Sequence, residues 1–161
     1  MSHPIVLRLP NLLPAKVINR PSLSCSTPYV ADLQLSSRQR SLSLGHTPAL
    51  GCCGLCEGGS KVFVTPSVSF PQTVCQYKIQ LSEFVESIPG KKKKIRSCLV
   101  GINPTLAEQI VRNMLQRNLF SQLDVQSFES QQTFGDSRFD FCGVEKNKNK
   151  TRFILEVKNS P

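Results

Sequence analysis

Two short segments near the C-terminus carry the side chains best suited to chemistry. Arg138-Phe139-Asp140-Phe141 and Leu155-Glu156-Val157-Lys158 flank the polar run Glu145-Lys146-Asn147-Lys148-Asn149-Lys150, whose Asn and Lys content suits a turn. A hairpin centred on Lys148 sets Asp140 opposite Glu156, Arg138 opposite Lys158 and Phe141 opposite Leu155. Side chains alternate across a strand. One face then carries Phe139, Phe141, Phe153, Leu155 and Val157, and the other carries Arg138, Asp140, Glu156 and Lys158. Adjacent carboxylates on one sheet face repel each other, and an oxygen-preferring divalent cation, Mg²⁺ or Mn²⁺, relieves the repulsion. Such an ion can polarise a phosphoryl oxygen and activate water. Lys158, on the same face, can orient that water or stabilise charge on a phosphate. The catalytic candidates are therefore Asp140, Glu156 and Lys158, with Asp140 and Glu156 as metal ligands. A solvated face whose acids are neutralised by Arg138 and Lys158 explains the same pattern. Spacing leaves both readings open, because a one-residue slip would separate the groups.

The elements that must position this hairpin can be read outward from it. Asn103 can cap a helix and Pro104 suits its first turn, with Thr105 and Glu108 offering a second capping register. Leu106, Ala107, Ile110, Val111, Met114 and Leu115 form an apolar stripe that predicts a helix ending near Asn118. Strands are expected at 129–134, 138–144 and 151–158, so this half reads α-β-β-β. Upstream, strands are expected at 15–19, 29–35, 40–44 and 61–65. Cys75, Tyr77, Ile79 and Leu81 alternate with polar residues as a fifth. Five short strands in such a span suggest a small OB-type barrel. The expected fold class is α+β, an N-terminal OB-like β-barrel followed by the α-β-β-β segment.

Charge and cysteine usage narrow the partners. The 161 residues include 20 Lys+Arg and 11 Asp+Glu, a net charge of +9. Residues 1–100 hold 12 basic and 4 acidic groups, whereas 101–161 hold 8 and 7. A basic half favours a polyanion such as nucleic acid, and a merely basic solvated surface is the alternative. Arg38, Arg40, Lys61, Lys78 and Arg138 are the candidate DNA-backbone contacts. The four lysines at 91–94 suit a solvated loop or a phosphate contact. Seven cysteines, an odd number, argue against a disulfide framework and for a reducing intracellular compartment, whether cytoplasm, nucleus or organelle. Cys53-Gly54-Leu55-Cys56 has no second pair to complete a zinc site and reads mainly as packing thiols. His46 reads as a loop or capping residue. Core packing is the first use of Phe63, although Phe63 and Tyr77 offer rings for base stacking. No run approaches the ~20 apolar residues of a membrane span. Met1–Leu13 is interrupted by two prolines and makes a poor signal peptide.

Several stretches together resemble one known family. They are Gly101-Ile102-Asn103-Pro104-Thr105-Leu106-Ala107, Phe134-Gly135-Asp136-Ser137-Arg138-Phe139-Asp140-Phe141 and Leu155-Glu156-Val157-Lys158, with looser matches at 29–32 and 46–64. The sequence resembles the sugar fermentation stimulation protein A family over roughly 15–158. The resemblance implies an OB-like N-terminal domain, a PD-(D/E)xK nuclease-like C-terminal domain, DNA binding and, in some members, nuclease activity. It places the metal carboxylates on Asp140 and Glu156 and the motif lysine on Lys158. Arg138 and Asn103 fall on recurrent positions, and Glu108 falls where such nucleases offer a further acid. The family's Pro-Asn-Thr-Gly loop reads Pro48-Ala49-Leu50-Gly51 here. The family continues beyond the position of Pro161, so the nuclease-like core is expected to be truncated. The expected organisation is a leader or disordered segment at 1–14, an OB-like nucleic-acid-binding domain at 15–88, a basic linker at 89–97 and the truncated nuclease-like domain at 98–161. The function expected is DNA binding with a metal-dependent phosphodiesterase site; a non-catalytic DNA-binding regulatory module and a degenerate fragment are the alternatives. No membrane partner is expected, and the oligomeric state is left open, a dimer included.

Overall fold

A computed structural model describes residues 3–36, 41–68, 72–87 and 95–159. The fold is α+β and divides into two compact units. One spans Leu9–Pro104 with the last residues of the chain, and the other spans Thr105–Lys158 with the N-terminal segment up to Arg8.

The first unit is a sheet that closes on itself. Its strands are β1 (Leu13–Asn19), β2 (Val30–Leu35), β3 (Leu42–His46), β4 (Lys61–Pro66), β5 (Tyr77–Ser87) and β6 (Ile95–Gly101), in the order β3-β2-β1-β4-β5-β6. β3 also pairs in parallel with β5, through Gly45 opposite Tyr77 and His46 opposite Lys78. That pairing joins β1, β2, β3, β5 and β4 into a ring, with β6 outside on the free edge of β5. Alternation puts Val17, Leu33, Leu35, Val62, Val64 and Ile79 inside the ring, each fully buried. Gly45 sits at the closure because a Cβ there would overlap the Leu33 side chain, and that overlap would push β3 off the ring.

Each of the five expected strands has a counterpart, with shifted ends. β3 begins at Leu42 and runs to His46, two residues past the expected end, because Gly45 and His46 pair with both β2 and β5. β5 continues to Ser87, since β6 pairs with it along that length. β6 itself was not expected. The apolar and polar residues of Ile95-Arg96-Ser97-Cys98-Leu99-Val100 alternate only loosely, and the lysine run before them reads as a loop. The lysines at 91–94 lie outside the described residues.

Two charged side chains tie the loops to the ring. The Arg20 guanidinium, in a side chain only 3% exposed, donates to the carbonyls of Ala49 (2.7 Å), Leu50 (2.9 Å) and Pro28 (3.0 Å) and lies 3.5 Å from Glu57 Oε1. It thereby anchors the Cys-rich loop. In that loop Cys52 and Cys56 are buried, and Cys52 Sγ donates to the Ala49 carbonyl at 3.4 Å. Burial, aided by the neighbouring Cys52, pushes the Cys56 thiol up to about 12. All seven cysteines are free. Asp32, also buried, accepts from Ser22 Oγ (2.5 Å), the Leu23 amide (3.0 Å) and Asn19 Nδ2 (3.2 Å). Burial alone would raise its carboxyl, but the three donors outweigh that and hold it below its ordinary value.

The second unit comprises helix α1 (Pro104–Gln116) and a three-stranded antiparallel sheet, β7 (Val125–Phe134), β8 (Ser137–Glu145) and β9 (Arg152–Leu155), in that order. Proline stands at the first helical position, as the missing amide donor allows. The helix ends on Asn118 at φ 53°, with Leu119 N donating to Met114 O and Asn118 N to Leu115 O. This is the paired C-terminal pattern in which a left-handed residue lets the chain turn back and satisfy the last carbonyls. Leu115, Val125 and Phe141 form the core, with Val111, Phe128, Phe153, Leu155 and Val157 packed around them. The expected apolar stripe is narrower than its sequence suggests, since Ile110 stays 38% exposed. Asn113 and Arg117 donate to the carbonyls of Val6 and Ile5, docking the N-terminal segment on the helix. β7 starts four residues earlier than expected and β9 stops three residues earlier. Among the described residues no helix is long and apolar enough to cross a membrane.

Asp32→Ala strands three donors and should cost roughly 1–3 kcal/mol at neutral pH. The wild-type carboxyl is depressed in the folded state, so its contribution is present above its ordinary value of 3.8 and is lost as pH falls through the lower folded value. Denaturant unfolding of the wild type and the variant should therefore show a gap at pH 7 that narrows as pH falls below 3.8.

Candidate functional site

The hairpin has the register that its spacing predicts, as far as Leu155. Phe141 faces Leu155, Cys142 faces Ile154, Gly143 faces Phe153 and Val144 faces Arg152. This is the register of a hairpin centred on Lys148. Asn147 sets the turn: its Oδ1 accepts from the Thr151 amide (2.9 Å), and its Nδ2 donates to Glu145 Oε2 (2.6 Å) and Thr151 Oγ1 (2.8 Å). Gly143 locks the same register from the middle. A Cβ there would come within 2.5 Å of the Phe153 ring and would strike the Ser127 carbonyl.

At the open end the backbone ladder stops at Leu155, and a side chain takes over. Asp140 Oδ2 accepts the Val157 amide at 2.6 Å. This explains why β9 is shorter than expected: the Val157 donor goes to a carboxylate instead of a strand carbonyl. The bond ties the Val157 backbone, between Glu156 and Lys158, to the Asp140 side chain. Lys158 Nζ donates to Glu156 Oε1 at 2.6 Å. That hydrogen bond and the Glu156 charge raise the Lys158 ammonium above its ordinary value, and the Asp140 charge adds to the effect. Both carboxylates therefore act on one cation at an exposed strand end. Arg138 lies on β8, exposed, opposite Thr133 of β7.

The two carboxylates offer hard oxygen donors of the kind Mg²⁺ takes, an ion that keeps several waters and needs few protein oxygens, whereas the adjoining ammonium has no lone pair to offer it. Among the described residues no group of three or more His, Cys, Asp or Glu side chains is arranged to hold a metal ion, so any ion at the hairpin would rely on these two acids and water.

The remaining candidates are spread over the two units. Lys61 pairs with Glu83 at 3.5 Å on the ring, and Lys78 lies at the β3–β5 seam beside His46. Arg38 and Arg40 lie outside the described residues. Asn103, in the first unit, is buried and donates to Gln80 Oε1 of β5 at 2.6 Å. Glu108 receives a hydrogen bond from Gln131 Nε2 at 3.2 Å. Gln131 was not singled out from the sequence. It lies between Ser130 and Gln132, which pair with Phe141 and Phe139, and its φ of 56° departs from strand geometry. The alternation of the region could have placed it near Asp140, but the left-handed backbone that turns it to Glu108 has no sequence signal.

A closed β-ring unit followed by a helix and a hairpin bearing Asp, Glu and Lys defines a class, and comparison with known proteins identifies it. Residues 105–160 match the family model described as "Sugar fermentation stimulation protein RE domain". The chain is 28% identical over 140 residues to a sugar fermentation stimulation protein homolog of Prochlorococcus marinus, covering 82% of this chain and 53% of that one. It is 30% identical over 137 residues to the homolog of Trichodesmium erythraeum, covering 82% and 49%. The solved structure of Pyrococcus furiosus SfsA in complex with Ca²⁺ superposes with a TM-score of 0.69 at 15% identity, covering 95% of this chain and 56% of that chain. The chain belongs to the sugar fermentation stimulation protein family. It spans about half the length of the curated relatives it matches.

Removing the acceptor with Asp140→Ala should release the Val157 amide. Hydrogen exchange at that amide should quicken by roughly 10- to 100-fold, as expected for a lost charge-assisted bond, while Asp140→Asn, which keeps an acceptor oxygen, should show a smaller change.

Proposed function

We propose that this chain binds DNA and carries a metal-dependent phosphodiesterase site at Asp140, Glu156 and Lys158. The observation that carries the reading is the Asp140 carboxylate bonded to the Val157 amide, between Glu156 and Lys158, with Lys158 Nζ paired to Glu156 at 2.6 Å. The β-ring supports the fold side of the proposal. Its closure by a parallel β3–β5 pair supports reading it as an OB-type barrel, an architecture used for oligonucleotide binding. The helix and hairpin supply part of a PD-(D/E)xK nuclease-like core. Membership in a family with an RE domain, and the Ca²⁺ in the related Pyrococcus furiosus protein, favour a divalent cation over a purely solvated face.

In this reading Asp140 and Glu156 hold Mg²⁺ or Mn²⁺, which when bound polarises a phosphoryl oxygen and acidifies water. The chain's own residues do the positioning. Asp140 spends Oδ2 on the Val157 amide, so its direction is fixed before any ion arrives. Lys158 balances Glu156 in the resting state and is placed to face the charge that develops on a scissile phosphate. Arg138 and the lysines of the ring, Lys61 and Lys78, contact backbone phosphates and orient the strand without reading its sequence. The free thiols suit a reducing compartment. A non-catalytic DNA-binding module is the second reading, favoured because among the described residues no group of three or more His, Cys, Asp or Glu side chains is arranged to hold a metal ion.

Incubation of the purified chain with supercoiled plasmid and Mg²⁺ or Mn²⁺ separates the two. Nicking that EDTA stops, that Asp140→Ala and Glu156→Gln abolish, and that Lys158→Ala slows by about 100-fold supports the enzyme. Absence of nicking with intact DNA binding supports the module. In either case affinity should fall steeply and linearly on a log–log salt plot, measured by fluorescence anisotropy.

A further inference from the structure

The parallel seam of the β-ring opens into a cavity of about 270 Å³ whose lining includes His46, Ser67, Thr73, Cys75, Tyr77 and Lys78. An imidazole, a phenol, two hydroxyls and an ammonium thus converge where β3 meets β5. Beside them Tyr29, 40% exposed, holds its ring nearly parallel to His46, with planes 11° apart and centroids 6.5 Å apart. These groups belong to none of the chemistry assigned to the hairpin.

Their combination fits one kind of ligand. Flat rings stack on base faces with little regard to sequence. The Ser67 hydroxyl can meet polar base edges, while Thr73 Oγ1 donates to the Cys75 carbonyl at 3.3 Å and shapes the loop. Lys78 supplies a cation for the attached phosphate. His46 adds a flat face instead of a second cation, since burial and the Lys78 charge hold its imidazole below the ordinary value. The volume lies below the roughly 300–1,000 Å³ of sites for drug-sized ligands, which limits the occupant to a base-sized ring system. In a duplex each base face is covered by its neighbours, so only an unstacked nucleotide can enter.

We propose that the seam cavity takes one unstacked base and its phosphate from a single strand of nucleic acid, with Tyr29 available to the next base. The proposal rests on the DNA-binding reading and adds the strand form that the ring selects.

The test uses the full chain with a labelled 12-nucleotide single strand and the corresponding duplex, followed by fluorescence anisotropy at low salt. The single strand should bind more tightly. His46→Ala should weaken it by roughly 5- to 100-fold, the value of one lost base stack, and His46→Phe should retain it, because the ring rather than the imidazole nitrogens carries the contact. Lys78→Ala should lower the salt slope by about one. Tyr29→Ala, on an exposed ring, is the companion variant should His46→Ala fail to fold, and circular dichroism melting identifies that case. Duplex binding with no preference for the single strand overturns the seam site and leaves the DNA-binding reading standing. So does a His46→Ala or Tyr29→Ala protein that is folded and binds the single strand as the wild type does. Failure to bind either oligonucleotide overturns both.

Discussion

The hairpin register is the constraint on which the candidate chemistry depends. Strand side chains repeat every two residues, so a slip of one would send Asp140 and Glu156 to opposite faces and turn Phe141 out of the core. Three independent devices prevent it. Asn147 closes the turn with bonds to both flanks, Gly143 leaves room for the Phe153 ring that crosses it, and Phe141 with Leu155 buries on one side only. The Asp140 bond to Val157 then extends the order past the end of the ladder. The same carboxylate that would hold an ion also finishes the strand, so structure and site share one atom group.

In the first unit, organisation comes from closure. The short parallel pairing of β3 with β5 converts a sheet into a ring and gives its apolar residues an inside. The long loops remain outside and would be poorly defined by packing alone. Charged side chains define them instead, Arg20 through carbonyls of two loops and Asp32 through donors of one. Buried charges of this kind are tolerated because nearly all of their hydrogen-bonding capacity is used.

Much of the site was legible in the sequence, because local rules determine it. Period-two alternation and a polar turn give the register, which the structure shares from Phe141–Leu155 to Val144–Arg152. Pro104 and Asn118 mark the helix ends by the backbone freedoms of those residue types. What could not be read depends on distant partners. β6 exists because β5 offers it an edge, and its own composition barely alternates. Gln131 reaches Glu108 through a left-handed backbone inside a strand, which its residue type does not announce. Ile110 belongs to the helical stripe by spacing, yet the three-stranded sheet does not cover it. The role of Arg20 is equally silent in sequence, since a lone arginine in a Pro- and Ser-rich stretch reads as surface charge.

The contrast between Arg20 and Asp32 has a bearing on how the ring would come apart. A guanidinium keeps its proton at any pH a protein meets, so the clasp on the cysteine-bearing loop is indifferent to acidity. The carboxylate clasp on the neighbouring loop is not. Acid would therefore free the Asn19, Ser22 and Leu23 donors from Asp32 while the Arg20 bonds to the Pro28, Ala49 and Leu50 carbonyls persist.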